Sequence, residues 1–201
     1  MVVVIAAVSI GAMVMVRRRM SGAYVIGRQV ARAEPATVAE ATPGSIVRLT
    51  GVIRAVGEAP TSEASGRAFV ARDLRIVTHT GDGGSPTRPA RQSIDFLLDD
   101  GTAVALVRAT GAAVAIDRDV EMPQTTLDQA MWLDPILRAG GYHNGSPQTC
   151  KVRVYEGVLG PGDRISVIGM VATDDGLADQ LGATITITGS DLPVTLTAPA
   201  D

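Results

Sequence analysis

The chain has 201 residues, 46% of them hydrophobic but only 3% aromatic, which is enough for one good core with insertions and too little for two full domains. A single cysteine, Cys150, excludes an internal disulfide framework and a thiolate zinc cluster. The formal net charge of -3 is unevenly spread: after Arg17, Arg18 and Arg19 the chain carries 15 basic against 21 acidic residues, poor electrostatics for gripping phosphates.

The first element is the apolar run Val2 to Val16, broken only by Ser9 and Gly11 and closed by three arginines. As a helix, these 15 residues span roughly 23 Å against a hydrocarbon core of about 30 Å, short for a crossing. A secretory signal places its charge before the apolar stretch; here the charge follows. The positive-inside rule therefore predicts a single-pass anchor over residues 1–19, N-terminus out and the remainder cytoplasmic, with membrane lipid as its partner. A buried N-terminal helix or strand, or a start assigned too late, are the alternatives. Residues 20–43, with Arg28 and Arg32 and then small, polar and Pro/Gly residues, read as a juxtamembrane linker.

From Gly44 the signals are those of strands between turns. IVRLTGVI alternates, GRAFVARDLRIVTH (66–79) is long and rich in Val, Ile and Phe, and SIDFLLDDGTAVALV (93–107) reads as a hairpin turning at Asp100-Gly101. AAVAIDRDV, KVRVYE, DRISVIGMVA and ATITITG complete the series, without the spacing of βαβ units. This pattern predicts a mainly β domain over residues 44–192, a closed antiparallel barrel or sandwich, with 193–201 as a tail.

One spacing occurs twice. Pro43, Gly44 and Gly51 repeat as Pro161, Gly162 and Gly169, with Val47 and Leu49 in phase with Ile165 and Val167. Glycine within a strand is unfavourable unless the strand bends or another backbone comes close, so Gly51 and Gly169 are expected at barrel corners. The Pro-Gly pairs are expected to be the tight turns that feed them. A first strand bent at glycine favours an OB-like barrel. Two interruptions punctuate it. THTGDGGSPTRPAR (78–91) reads as a polar loop, and TLDQAMWLDPILRAGG (126–141) as two helical pieces, with Asp134 capping the second, Pro135 opening it and Gly140 ending it. The helical insertion is expected to plug the open end of the barrel with Leu127, Met131, Ile136 and Leu137 lying on it, a lid or membrane-facing element being the alternative, and Met131 and Trp132 are the candidate partner contacts.

No catalytic constellation stands out. His79 and His143 are the only histidines, and a hidden site of Cys150, His143 and Glu156 is the sole enzymatic alternative. Asp99-Asp100 and Asp174-Asp175 each precede glycine and read as turn chemistry. P-loop, dinucleotide and GxSxG motifs are absent from the sequence, so no cofactor is expected. An acidic body with few aromatics argues against nucleic acid.

The first strand ending at Gly51, Ala59-Pro60 followed by Ser65-Gly66, Phe96 with Asp99-Asp100-Gly101, and Glu156 with Leu159, Gly162 and Gly169 together resemble the GIDE domain. This is the membrane-adjacent module of MULAN-type mitochondrial ubiquitin ligases, also found in prokaryotic proteins. The resemblance covers roughly residues 38–190. It implies a domain seated beside a membrane. MULAN-like ligases add a second span and a zinc-binding RING; this sequence ends DLPVTLTAPAD with one cysteine, so ligase activity is not expected in it. The leading expectation is a membrane-tethered, non-catalytic adaptor that binds a protein or a small ligand. An exported, envelope-facing barrel is the rival.

Overall fold

The computed structural model describes residues 33–80, 83–86, 90–141, 146–172, 176–190 and 193–197. The expected anchor, residues 20–32 of the linker, Asp174-Asp175 and His143 lie outside them. Among the described residues no helix is long and apolar enough to cross a membrane.

The strands are β1 (Glu34–Pro35), β2 (Ile46–Ala55), β3 (Ala71–Thr80), β4 (Gly83–Pro86), β5 (Ala90–Ser93), β6 (Phe96–Asp99), β7 (Val104–Val107), β8 (Ala113–Ala115), β9 (Val120–Thr126), β10 (Lys151–Leu159), β11 (Arg164–Ala172), β12 (Ile185–Thr188) and β13 (Thr195–Thr197). A 3-10 turn, Met131–Leu133, runs into helix α1 (Asp134–Ala139), and a second short helix, α2, spans Leu177–Gln180.

Five strands close a barrel in the spatial order β2-β6-β7-β12-β11, with β11 returning to β2. Counted along the chain this is 1-2-3-5-4-1, consistent with an OB-like barrel. The expected all-antiparallel arrangement needs correction at one seam, because β7 and β12 run parallel. The reason is parity: directions cannot alternate all the way round a ring with an odd number of strands. Along β2 the buried side chains alternate, with Val47, Leu49 and Ile53 inside, and they meet Phe96, Leu98, Val107, Ile165, Val167 and Ile187 in one core.

The repeated motif accounts for the tightest seam. Strands β2 and β11 pair antiparallel with Leu49 opposite Val167 and Gly51 opposite Ile165. Gly44 N–H donates to Val171 O at 2.8 Å, and Gly162 N–H donates to Ile53 O at 2.9 Å. Each Pro-Gly turn therefore caps the far end of the other copy's strand. The φ angles of 85° at Gly44 and 93° at Gly162 are the left-handed values that the turns require. The strand glycines serve close approach: a Cβ on Gly51 would sit 2.6 Å from Asp99 O, and one on Gly169 2.6 Å from Ile187 Cγ2 and 2.9 Å from Thr188 O. They are where β6 and β12 press against the paired strands.

A second sheet, in the order β4-β3-β10-β9 with β5 also on β3, corrects the reading of residues 44–192 as one barrel. The runs 66–79 and KVRVYE belong to it. It is assembled from two insertions, one between β2 and β6 and one between β7 and β11. Its inward row carries Leu74 and Ile76 from β3 and Val152 and Val154 from β10, and these apolar side chains require a cover of their own. The helical insertion supplies it through Leu127, Ala130, Leu133 and Leu137, so it packs on the second sheet instead of plugging the barrel. The two-piece helix with Pro135 at its start and Gly140 at its end is as expected, but Asp134 makes no cap; its carboxylate pairs with Arg138 at 2.7 Å.

Three boundaries also move. The polar stretch 78–91 yields β4 and β5, because backbone pairing with β3 does not depend on apolar side chains. The expected tail contains β13, which pairs with β11 and β8. Within the expected linker, β1 pairs with β2 and Val38 is buried, its N–H donating to Asp100 Oδ2 at 2.6 Å.

Candidate functional site

The inward row of the second sheet ends in charge. Glu156 lies opposite Leu74 on β3 and is fully buried, although its neighbours along the row are apolar. Ser62 Oγ donates to Glu156 Oε1 at 2.5 Å. A tight turn sets that hydroxyl in place: Gly66 N–H donates to Ser62 O at 2.8 Å, with Gly66 at a φ of 69°, and Ala64 N–H donates to Ser62 Oγ at 3.1 Å. The turn through Ser65-Gly66 thus positions Ser62, and Ser62 makes the buried contact with Glu156.

Arg72 closes the cluster from β3. Its Nη1 lies 2.7 Å from Glu63 Oε2 and 3.9 Å from Glu156 Oε1, and its Nε donates to Gln92 Oε1 at 3.1 Å. Phe69 places its ring 4.7 Å from the guanidinium carbon, a cation–π contact on the side not used for hydrogen bonds. The hydrogen bond from Arg72 holds the Glu63 carboxyl below the usual carboxylate range. Glu156 Oε2 takes no hydrogen bond among the described residues, which leaves a buried acceptor unsatisfied.

Beside this cluster a cleft of about 190 Å³ opens between α1 and the sheet, lined by Arg72, Leu74, Ala90, Arg91, Gln92 and Ile136. Its apolar floor and guanidinium rim suit a group of a few heavy atoms that is apolar at one end and accepts hydrogen bonds at the other. It falls short of the volume of a drug-sized ligand site.

Of the residues singled out from the sequence, the six turn and bend positions gather at the β2–β11 seam, away from this cleft. Met131 is 51% exposed on the helical cap, whereas Trp132 is partly buried against the second core. Cys150 is buried in that core, and burial pushes its thiol pKa up. It lies six positions before Glu156, about 20 Å along an extended strand, so two members of the alternative Cys150, His143 and Glu156 site are not brought together. Asp99 and Asp100 serve the hairpin, as expected: Asp99 Oδ1 accepts from Gly101 N–H and Asp100 Oδ1 from Thr102 N–H, each at 2.8 Å. His79 sits at the end of β3 opposite Lys151. No group of three metal-binding side chains occurs among the described residues.

Ser62, Glu63, Arg72 and Gln92 escaped the sequence reading. The available signal was periodicity: in FVARDLRIV and KVRVYEGVL the alternation places Arg72 and Glu156 at inward positions, where a charge demands a partner. The chain matches no family model, no curated protein and no solved structure.

Proposed function

We propose that this chain is a membrane-tethered, non-catalytic binding domain, similar to the GIDE module of membrane ubiquitin ligases, whose second sheet and helical cap engage a partner protein beside the bilayer. The carrying observation is the cap. Its inner side is packed by Leu127, Leu133 and Leu137, yet it holds Met131 outward, one of two exposed large hydrophobics among the described residues, with Trp132 beside it. A flexible thioether next to an anchored indole is a composition favoured at protein interfaces. The adjacent cleft, rimmed by Arg72 and Arg91, gives such a partner an acceptor-bearing side chain to insert. The non-catalytic part of the reading is supported by the carboxylates at the turns, which are occupied with backbone hydrogen bonds, and by the separation of Cys150 from Glu156.

The tether rests on the sequence alone: the apolar run Val2 to Val16 followed by Arg17, Arg18 and Arg19, with the domain on the cytoplasmic side. Photocrosslinking from Met131→p-benzoylphenylalanine in native membranes tests the proposal. A discrete protein adduct that is lost in a Trp132→Ala background supports it. Adducts to lipid alone, or none, overturn it.

A further inference from the structure

The outer face of the second sheet contrasts with the acidic body. On β3 the outward side chains are Arg75, Val77 and His79; on β10 they are Lys151, Arg153 and Tyr155. The register sets Arg75 opposite Tyr155, Tyr155 opposite Glu121, Val77 opposite Arg153, and His79 opposite Lys151. Arg91 faces Asp73 on the same side, and Arg118 reaches over to Asp73 Oδ2 at 2.7 Å. Among the described residues, the register and ion pairs set Arg75, Arg118, Arg153 and Lys151, with Arg91 at the edge shared with the cleft, against Asp73 and Glu121 on this face, in a chain whose sequence after Arg19 holds 15 basic and 21 acidic residues. Asp117 and Asp119 belong to a separate cleft at its end, with Asp163 and Arg164.

The cations are held in place. Arg75 lies over the Tyr155 ring at 5.9 Å, and Arg153 lies 3.5 Å from Glu121. A half-buried valine and an oriented tyrosine among guanidinium groups match the chemistry of a bilayer interface, where phosphate oxygens accept hydrogen bonds and aromatic side chains sit at headgroup level. One aromatic on a broad sheet face is a poor stacking platform for nucleic acid.

We infer that this outer face docks on a bilayer surface bearing anionic phospholipid. Charge complementarity carries the inference: a net acidic domain with one basic face is oriented by an anionic surface as well as attracted to it. The inference rests on the membrane-tethered reading only for how the face is brought to the bilayer. The segment Met20–Arg32 reaches at most about 45 Å when extended, so the tether keeps the domain within range.

The test uses the full chain, reconstituted into vesicles of phosphatidylcholine alone or mixed with phosphatidylglycerol, carrying p-benzoylphenylalanine at Val77 or, in a second protein, at His79. Phospholipid adducts are expected in the mixed vesicles, about tenfold fewer in phosphatidylcholine and in roughly 0.5 M salt. The pair Arg75→Glu and Lys151→Glu should abolish them, while Arg164→Glu on the barrel leaves them unchanged. Equal adducts in both vesicles, no adduct at either position, or preferential capture of nucleic acid or a protein overturns the inference. Extraction with alkaline carbonate reads the tether separately. If carbonate releases the chain, the tethered reading fails, and phosphatidylglycerol-dependent adducts still uphold the face.

Discussion

Leu49 faces Val167 across the antiparallel seam of β2 and β11, and each is the equivalent of the other in the two copies of the Pro-Gly motif. The pair therefore marks a local two-fold axis. Around it the backbone bonds repeat: Val171 N–H donates to Ser45 O, and Ile53 N–H to Asp163 O, both at 2.9 Å. Two short segments far apart in the chain make one self-complementary ribbon, and the barrel closes through it.

Alanine at either strand glycine should loosen that closure. In Gly51→Ala the new methyl meets the backbone carbonyl of Asp99, which has nowhere to retreat without moving the β6–β7 turn. In Gly169→Ala it meets a side chain, Ile187, and the Thr188 carbonyl. Destabilisation of about 1–3 kcal/mol is expected for each, larger for Gly51 because backbone yields less than a side chain. Urea unfolding followed by circular dichroism measures both, and equal stability of Gly51→Ala and the parent chain contradicts the account.

The buried cluster predicts an asymmetry between its partners. Arg72→Met removes the cation nearest Glu156 and leaves a carboxylate in the core, at an expected cost of about 3–5 kcal/mol. Glu156→Gln keeps the shape and an acceptor for Ser62, and should cost about 1 kcal/mol. A thermal-unfolding double-mutant cycle reads the coupling; additive effects of the two changes refute the cluster as a unit.

Acid should release the segment before β2. Burial pushes the Asp100 carboxyl up, but hydrogen bonds from Val38, Thr102 and Ala103 outweigh it and hold the group below the ordinary aspartate value. A depressed carboxylate contributes stability above its unfolded pKa and loses it as pH falls through the folded one, so docking of Val38 is complete above about pH 4 and fades below. Asp100→Asn removes this dependence. Amide hydrogen exchange at Val38 is the measurement, with exchange faster by about tenfold or more expected in the variant at neutral pH.

Much of the barrel was legible because β2 and β12 alternate in sequence and β6, β7 and β11 are apolar runs set off by glycine-marked turns. Alternation does not say which sheet a strand joins. Residues 71–80 and 151–159 show the same pattern of buried side chains in a separate sheet as they would in the ring. The strands with few apolar side chains, Gly83–Pro86 and Thr195–Thr197, are set by backbone pairing, to which composition is blind. In the candidate site, Met131 and Glu156 stood out locally. Ser62 acquires meaning only from Glu156 and Gln92 only from Arg72, which tertiary pairing brings to them.

The second sheet has a kinetic consequence. Strands β3 and β10 leave the barrel on opposite sides of the β6–β7 hairpin, so their seam closes a chain loop of roughly 80 residues that contains two of the ring's five strands. Neither sheet is a contiguous stretch that could be excised and still fold. Such a contact order places folding in the milliseconds-to-seconds range, slow enough that an unfinished β3 edge stays open while the ring is being completed.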